Sequence, residues 1–412
     1  MAIDEIGLGR VVEGIPSGGL LNNLRVLDLG QGVSGPFCAR LLADQGATVI
    51  KVEPPDGDPA RRMGPFAGDD PHVEKSIPFL YLNTNKRSIT LNLSTAAGRT
   101  LLRALVCWAD VLVENFEPRL RSSLGLDDES LRAANPRLVV TSITSFGGDG
   151  PYHDWKATDL VTCAVSGLMY HSGNADREPL RNALSQSLYV AGVNGASATL
   201  VALYHRLSSG LGGRIDVSVA ECMTAHLVQS SASYAYTGGL RGRRPERGTP
   251  LEELMPCQDG HVVVSAQGSQ PFTAVIDLLG VEELKGSEFA TSEGRILNGE
   301  ALERLILEGL ARWKKKDLFD SANKRRLVFG MAQGPDDLYR CPHLREREFF
   351  VPVHHPVAGD AEYPCDMIRL SEGSFGERSP APILGAHNRD VYRGIIGLSD
   401  AEIVRLRSLA AI

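Results

Sequence analysis

From Leu24 onward the chain alternates short apolar runs of β type with stretches of helical period, and that alternation limits the possible folds most. Arg25-Val26-Leu27-Asp28-Leu29 reads as a strand, Pro36 to Gln45 as a helix, and Thr48 to Val52 as a second strand. Pro36 suits a first helical turn, where a missing N–H costs nothing. A polar loop from Pro54 to Ser76 precedes a strand at Ser88–Leu93 and a helix at Ala96–Ala109. In that helix Leu101, Leu105 and Trp108 share one face, and Ser94 or Thr95 can cap it. Val111–Val113 and Leu138–Val140 continue as strands. A long helix is expected from near Gln186 to Arg206, then a strand at Arg214–Val219 after the turn Ser209–Gly213. Repeated βα units of this kind build a mostly parallel sheet covered on both faces.

The remainder has a different texture. His261–Val264 reads as a strand, Phe272–Leu279 and Glu300–Trp313 as helices, which together suit a smaller α+β unit. The tail runs through loops rich in Pro and Gly to a short amphipathic helix at Asp400–Leu409. A chain of 412 residues has room for two packed domains.

Charge and cysteine usage remove several classes of function. Net charge is -7 with both signs mixed, and without a basic stripe no nucleic-acid partner is expected. Arg241, Arg243, Arg244 and Arg247 crowd one polar loop, which reads as a solvated loop near a site for small anions. The seven cysteines are scattered and never spaced as C-x-x-C, so neither a disulfide framework nor a metal site is expected. The N-terminus carries Asp4 and Glu5 and lacks the pattern of a signal peptide. Leu188–Tyr204, the most apolar stretch, is broken by Asn194 and Ser197 and reads as too short and polar for a bilayer. A cytoplasmic protein with no membrane partner is the expectation.

Directly after the first strand stands Gly30-Gln31-Gly32-Val33-Ser34-Gly35, a G-x-G-x-x-G turn opening a helix, with Glu53 closing the second strand. Such a turn can seat a pyrophosphate on a helix N-terminus, with the acid on a ribose hydroxyl. An NAD-dependent oxidoreductase is therefore one reading. The other is that a tight βα turn needs glycines for its own packing. Pro54-Pro55 break the chain after Glu53, and no hydride-transfer site follows.

The wider context resembles one family. Gly35-Pro36 with Leu41 to Glu53, then Asn85 to Leu91, then Ala109 to Phe116 with Pro118, Leu124 and Gly125, occur in order. His355 to Gly359 and Ala381 to Asn388 follow near the end. Together they resemble the signatures of class III CoA-transferases, a family that also includes α-methylacyl-CoA racemases. The resemblance spans about Leu24 to Ile412. It implies a Rossmann-like large domain built from both chain ends, a small middle domain, and a homodimer of two interlocked rings. On this reading residues 1–23 are an extension, 24–225 the first part of the large domain and 226–250 a linker. Residues 251–340 form the small domain, and 341–412 return to the large one.

The family nucleophile is an aspartate in a Gly-x-x-Asp-Gly-Pro-Pro loop. Gly173-Asn174-Ala175-Asp176-Arg177-Glu178-Pro179 keeps that frame, so the resemblance makes Asp176 the catalytic carboxylate, with Arg177 and Glu178 departing from Gly-Pro. It implies an acyl-CoA thioester and a carboxylic acid as substrates and no tightly bound cofactor. The CoA positions carry over to Val33, Ser34, Leu91, Asn92, Asn115 and Phe116. Arg119 and Arg121 stand near Ser123, where the family has a basic residue for the diphosphate, and Lys86 and Arg87 are further candidates. Asp159 is the rival carboxylate and reads as a helix-start or structural residue. A racemase is the other competing function. There a His-Asp pair stands where this chain has Thr158-Asp159, and threonine cannot serve as the base. The glycine-rich lid of formyl-CoA transferases is replaced by Arg247-Gly248-Thr249-Pro250.

Overall fold

In a computed structural model, the residues described are 19–174, 176–240, 242–243, 254–264, 271–365, 367–372, 375 and 378–412. Asp4, Glu5, Ala175, Arg241, Arg244 and Arg247–Pro250, all invoked above, lie outside them. The chain divides into two compact units. The first comprises residues 19–172, 179–240 and 349–412, and the second 173–178 and 242–348.

The first unit is built on six parallel strands: β1 (Arg25–Asp28), β2 (Thr48–Glu53), β3 (Lys86–Thr90), β4 (Val111–Glu114), β5 (Val139–Thr144) and β6 (Gly213–Ser218). Their spatial order is β3-β2-β1-β4-β5-β6, so the direction of winding reverses between β1 and β4. Successive residues alternate between two cores. Leu27, Ile50, Leu112 and Val140 pack with the helix Ala96–Trp108 on one face. Val26, Val49, Val111 and Val139 pack with the helices Ser34–Asp44 and Gln186–Ser209 on the other. Burial on both faces explains why these strands read as nearly continuous apolar runs.

Local chemistry sets the element ends. Of the two capping candidates, Thr95 acts: its Oγ1 accepts from Gly98 N at 2.9 Å. The long helix places Ala191, Gly192, Gly195 and Ala196 inward, and a Cβ on Gly192 would stand 2.9 Å from the Ser34 carbonyl. Close approach to the first helix therefore needs glycine there. This helix has 24 residues, which by length and composition suffice to cross a membrane, contrary to the shorter, more polar segment expected. Its inward face packs on the sheet, and its Arg206 pairs with Asp110 at 3.5 Å.

Four expectations are corrected. The third strand begins at Lys86 and ends at Thr90, because Lys86 is neutralised inside the fold instead of flanking the strand. A helix at Ile77–Leu82 and 3-10 turns at Pro59–Arg62 and Ala67–Asp69 occupy ground read as loop or left unassigned. Residues 226–250, taken as a linker, hold a helix at Val228–Thr237 closed by Gly238 at φ 67°. The tail forms a hairpin, Phe350–His355 with Gly359–Pro364, before its loops.

The last family-like segment covers the open edge of the sheet. Ser88 N donates to His387 Nδ1 at 3.1 Å, and His387 N returns to Ser88 O at 3.0 Å. Asn388 accepts from Thr90 N and donates to Thr90 Oγ1, each at 2.8 Å. An edge strand otherwise exposes unpaired backbone groups. Burial first, and then the charge of Arg87, hold the His387 pKa below its ordinary 6.5. The unfolded chain then binds a proton that the folded chain resists, so this contribution is full above pH 6.5 and falls as pH drops toward the folded value. The expected result is that the difference in urea midpoint between the wild type and His387→Gln shrinks from pH 7 to pH 5. A constant difference would show that the edge contact does not depend on a neutral imidazole.

The second unit has its own core. An antiparallel sheet of β7 (Leu254–Cys257), β8 (Gly260–Val264) and β9 (Phe329–Met331) is flanked by helices Phe272–Leu279, Gly299–Leu310 and Lys315–Lys324. Val262, Val264, Ile276, Leu302, Ile306 and Leu318 fill its interior.

Candidate active site

In a doubly wound parallel sheet, ligands bind outside the carboxyl ends of the strands where the winding reverses. Here that point lies between β1 and β4, where the glycine turn and the loop Asn115–Pro118 leave the sheet. Asn115 clasps the two together. Its Oδ1 accepts from Gln31 N and its Nδ2 donates to Gln31 O, both at 2.7 Å, with Ser34 Oγ at 3.3 Å.

The first three amides of the turn are already used. Gly30 N donates to Asp28 Oδ1 at 2.9 Å, Gln31 N to Asn115, and Gly32 N to Asp58 Oδ1 at 3.0 Å. A pyrophosphate would have to displace two carboxylates from the amides that cradle it in a dinucleotide site. The glycines serve packing: a Cβ on Gly30 would lie 2.7 Å from Gly35 Cα. Three amides of this turn are thereby closed to a dinucleotide.

Beneath it lies a buried ionic network. Lys51 Nζ donates to Asp58 Oδ2 at 2.7 Å and to the Gly30 carbonyl. Lys86 Nζ donates to Asp28 at 2.8 Å, Pro36 O at 2.7 Å and Asn83 at 2.9 Å. Arg61 bridges Glu53, at 2.6 Å and 2.9 Å, and Glu74, at 2.6 Å. Burial works against the charge on Lys51, but Asp28, Asp58 and Glu53 outweigh it and raise its pKa. For Lys86 burial prevails over Asp28, and its pKa is pushed down to about 8. Lys86 is thus a structural cation and is not available to a phosphate.

Most side chains expected to line CoA are committed inward. Leu91 is 2 % exposed and sits in the sheet core, so it cannot be an apolar wall of the pocket. Val33 packs with Phe37 and Leu82, and Ser34 is buried under Asn115. The Asn92 amide accepts from Ser94 N and donates to Ala410 O. Arg121 is buried with its Nε 3.0 Å from Glu114, which also holds Arg214 at 3.2 Å. These positions can offer a ligand little beyond backbone groups. Phe116, half-buried, and Arg119, exposed and 2.6 Å from Glu117, keep accessible side chains on the loop after β4.

Asp176 is exposed in the segment Gly173–Glu178, which clusters with the second unit. Arg243 Nε donates to Asn174 O at 2.9 Å and its Nη2 to Arg177 O at 3.4 Å, so one arginine of the basic loop braces this segment's backbone. Asp159 opens the helix Asp159–Val165 and is buried against Ser187 and Arg181. Sequence reasoning missed Asp58 and Arg61. The pair Asp58-Pro59 carried a usable signal, an N-cap acid before a first-turn proline, and Asp58 does accept from Ala60 N at 2.8 Å. Nothing local announced that Arg61 would be buried.

The sequence model described as "CoA-transferase family III" matches residues 21–388. The chain belongs to this family. A succinyl-CoA–D-citramalate CoA-transferase of Chloroflexus aurantiacus is 32% identical over 94% of this chain and 97% of its own length. A succinate–glutarate CoA-transferase of Agrobacterium fabrum is 30% identical over 90% and 94%. The crystal structure of a CAIB/BAIF family protein from Brucella suis superposes with a TM-score of 0.84 at 31% identity, covering 92% of this chain and 100% of that one. This family III protein is accordingly an enzyme, a CoA-transferase acting on CoA thioesters.

Proposed function

We propose that Asp176 carries CoA covalently between two carboxylic acids. An Asp176 oxygen attacks the thioester carbonyl of the donor. The C–S bond breaks, CoA leaves as thiolate, and an acyl-aspartyl anhydride remains. The thiolate then attacks the Asp176 carbonyl carbon, which frees the donor acid and leaves an aspartyl-CoA thioester. The acceptor carboxylate attacks that thioester, thiolate departs again, and it closes the cycle on the acceptor's acyl carbon. No net proton is moved, and the relay divides one difficult exchange into easier steps. The frame Gly173 to Pro179 in a family III chain carries this reading.

CoA is placed in the crevice at the winding reversal, with Phe116 against its apolar portion and Arg119 toward its phosphates. The names of the relatives favour a succinyl-type donor and a small dicarboxylic acceptor. A racemase lacks support here, since Thr158 is not a base and the Asp159 carboxylate is held by Ser187 and Arg181. We further infer a homodimer. The outer face of the long helix leaves Val201 69% and Tyr204 78% exposed, and apolar area of this kind normally marks an interface. A reducing, cytoplasmic setting suits the seven free cysteines.

The test is a matrix of acyl-CoA donors against free acids, read by the appearance of new CoA thioesters. Succinyl-CoA with four- and five-carbon dicarboxylates is expected to give the fastest exchange. Deuterium uptake at the α-carbon from heavy water, with no new thioester for any pair, would replace transfer by racemisation.

A further inference from the structure

We propose that the first unit holds a second ligand site, built on Arg40, for a small monocarboxylate with an apolar body. The helix Ser34–Asp44 begins at the glycine turn and runs toward the opposite edge of the sheet, where β2 starts at Thr48. Near that far end a cavity of about 90 Å³ opens beside Arg40. Its walls are mostly apolar and include Phe37, Leu41, Tyr81, Phe349 and Ile368. Tyr81 stands shortly before the start of β3 at Lys86, so the cavity lies toward the amino ends of the strands. The crevice assigned to CoA lies at their carboxyl ends.

Arg40 is 3 % exposed, yet its guanidinium fork is only partly used. Nη2 donates to the Pro364 carbonyl at 3.4 Å, and Nε lies 3.3 Å from Asp44 Oδ2 but outside hydrogen-bonding geometry. Among the described residues nothing accepts from Nε or Nη1, though both are shielded from solvent. The group is well fixed: its carbon stands 3.9 Å from the Tyr81 ring centroid, and Asp44 is tied by Asn85 Nδ2 at 2.6 Å. A buried donor left unpaired is costly. Arg61, also buried, shows how such a group is completed in this fold, since it spans two carboxylates, Glu53 and Glu74. Arg40 has only one. A carboxylate on Nη1 supplies the second, through charge-assisted hydrogen bonds. The walls and the volume set the rest of the ligand. One water needs about 10–15 Å³ of such space, so the cavity admits about six to nine heavy atoms. A second carboxylate on the ligand would be buried against Phe37 and Leu41 without a partner. A single carboxylate on a short alkyl or aryl body therefore fits.

The experiment titrates the full-length enzyme with pentanoate and with benzoate by isothermal calorimetry, in excess CoA and succinate so that the catalytic crevice is occupied. Each acid is expected to bind about once per chain, while pentan-1-ol and benzyl alcohol, which lack the charge, do not bind. Arg40→Met keeps an unbranched stem beside Tyr81 but removes the fork, and is expected to weaken binding at least about tenfold. Ile368→Asp places a like charge at the cavity wall. Ile368 is 62% exposed, so the fold tolerates the change. Its expected effect is a loss of affinity of about three- to tenfold, whereas Ile368→Lys brings no loss. If Arg40→Met does not fold, Ile368→Asp alone decides. Wild-type affinity in either folded variant overturns the site. Displacement of the acids by CoA and succinate does so too, because it returns them to the catalytic crevice. Equal uptake of the alcohols would mark an apolar void, and no binding to the wild type would show that the cavity takes no such ligand; each overturns the proposal. These readouts do not involve CoA exchange, so failure of the Asp176 mechanism would leave the site standing.

Discussion

Asp176→Ala is expected to lower kcat for CoA exchange at least about a thousandfold while the protein remains folded and still binds acyl-CoA. The size follows from the chemistry. Without the carboxylate no anhydride can form, and the donor acid and acceptor acid never share a covalent carrier. The fold tolerates the change because Asp176 is exposed in the segment Gly173–Glu178, braced there through backbone carbonyls of Asn174 and Arg177. Asp176→Asn is predicted to be similarly inactive, since an amide oxygen is a poor nucleophile at neutral pH. Activity of either variant within tenfold of wild type would mean that another carboxylate carries the acyl group.

The largest effect on stability is expected at Arg61. Its guanidinium is wholly buried and spans Glu53 and Glu74, lies 3.7 Å from the Phe79 ring centroid and donates to Pro382 O at 3.0 Å. Arg61→Met would leave Glu53, fully buried, and Glu74 without their cation, a loss of about 3–5 kcal/mol by the usual measure of a broken buried pair. Glu53→Gln in the same background should recover part of it, because the stranded charge is then removed. Urea unfolding of the two variants checks the order. Equal midpoints for wild type and Arg61→Met would show that the network is solvated in solution. The consequence reaches the site, since Glu53 also accepts from Asp58 N at 3.1 Å, and Asp58 holds Gly32 in the turn.

How far the chain could be read in advance depended on whether the deciding interactions were local. Val26-Leu27 and Val111-Leu112-Val113 declare themselves because both faces of their sheet are covered, so every residue is apolar. Ile77–Leu82 gave no helical period: it is apolar on nearly all sides and carries Pro78. Val228–Thr237 failed for the opposite reason, since none of its residues is buried and no amphipathic stripe exists to be seen. At the site, the frame around Asp176 was visible as a motif. The fates of Lys86, Arg121 and Leu91 were not, because each is decided by a partner or a core brought in from elsewhere in the chain. Lys86 meets Asp28 from 58 positions away, and the glycine turn loses two of its donors to Asp58 and Asn115. A dinucleotide-like turn therefore looks the same in sequence whether its amides are free or consumed.

The most direct test of the covalent mechanism is to trap the carrier. The enzyme is mixed with a donor acyl-CoA, quenched with hydroxylamine, digested, and its peptides are weighed by mass spectrometry. The aspartyl-CoA relay predicts a hydroxamate on Asp176 that appears only when acyl-CoA is present and disappears when excess acceptor acid discharges the intermediate. A hydroxamate on Asp159 instead, or turnover at full rate with no modified carboxylate at all, would contradict it.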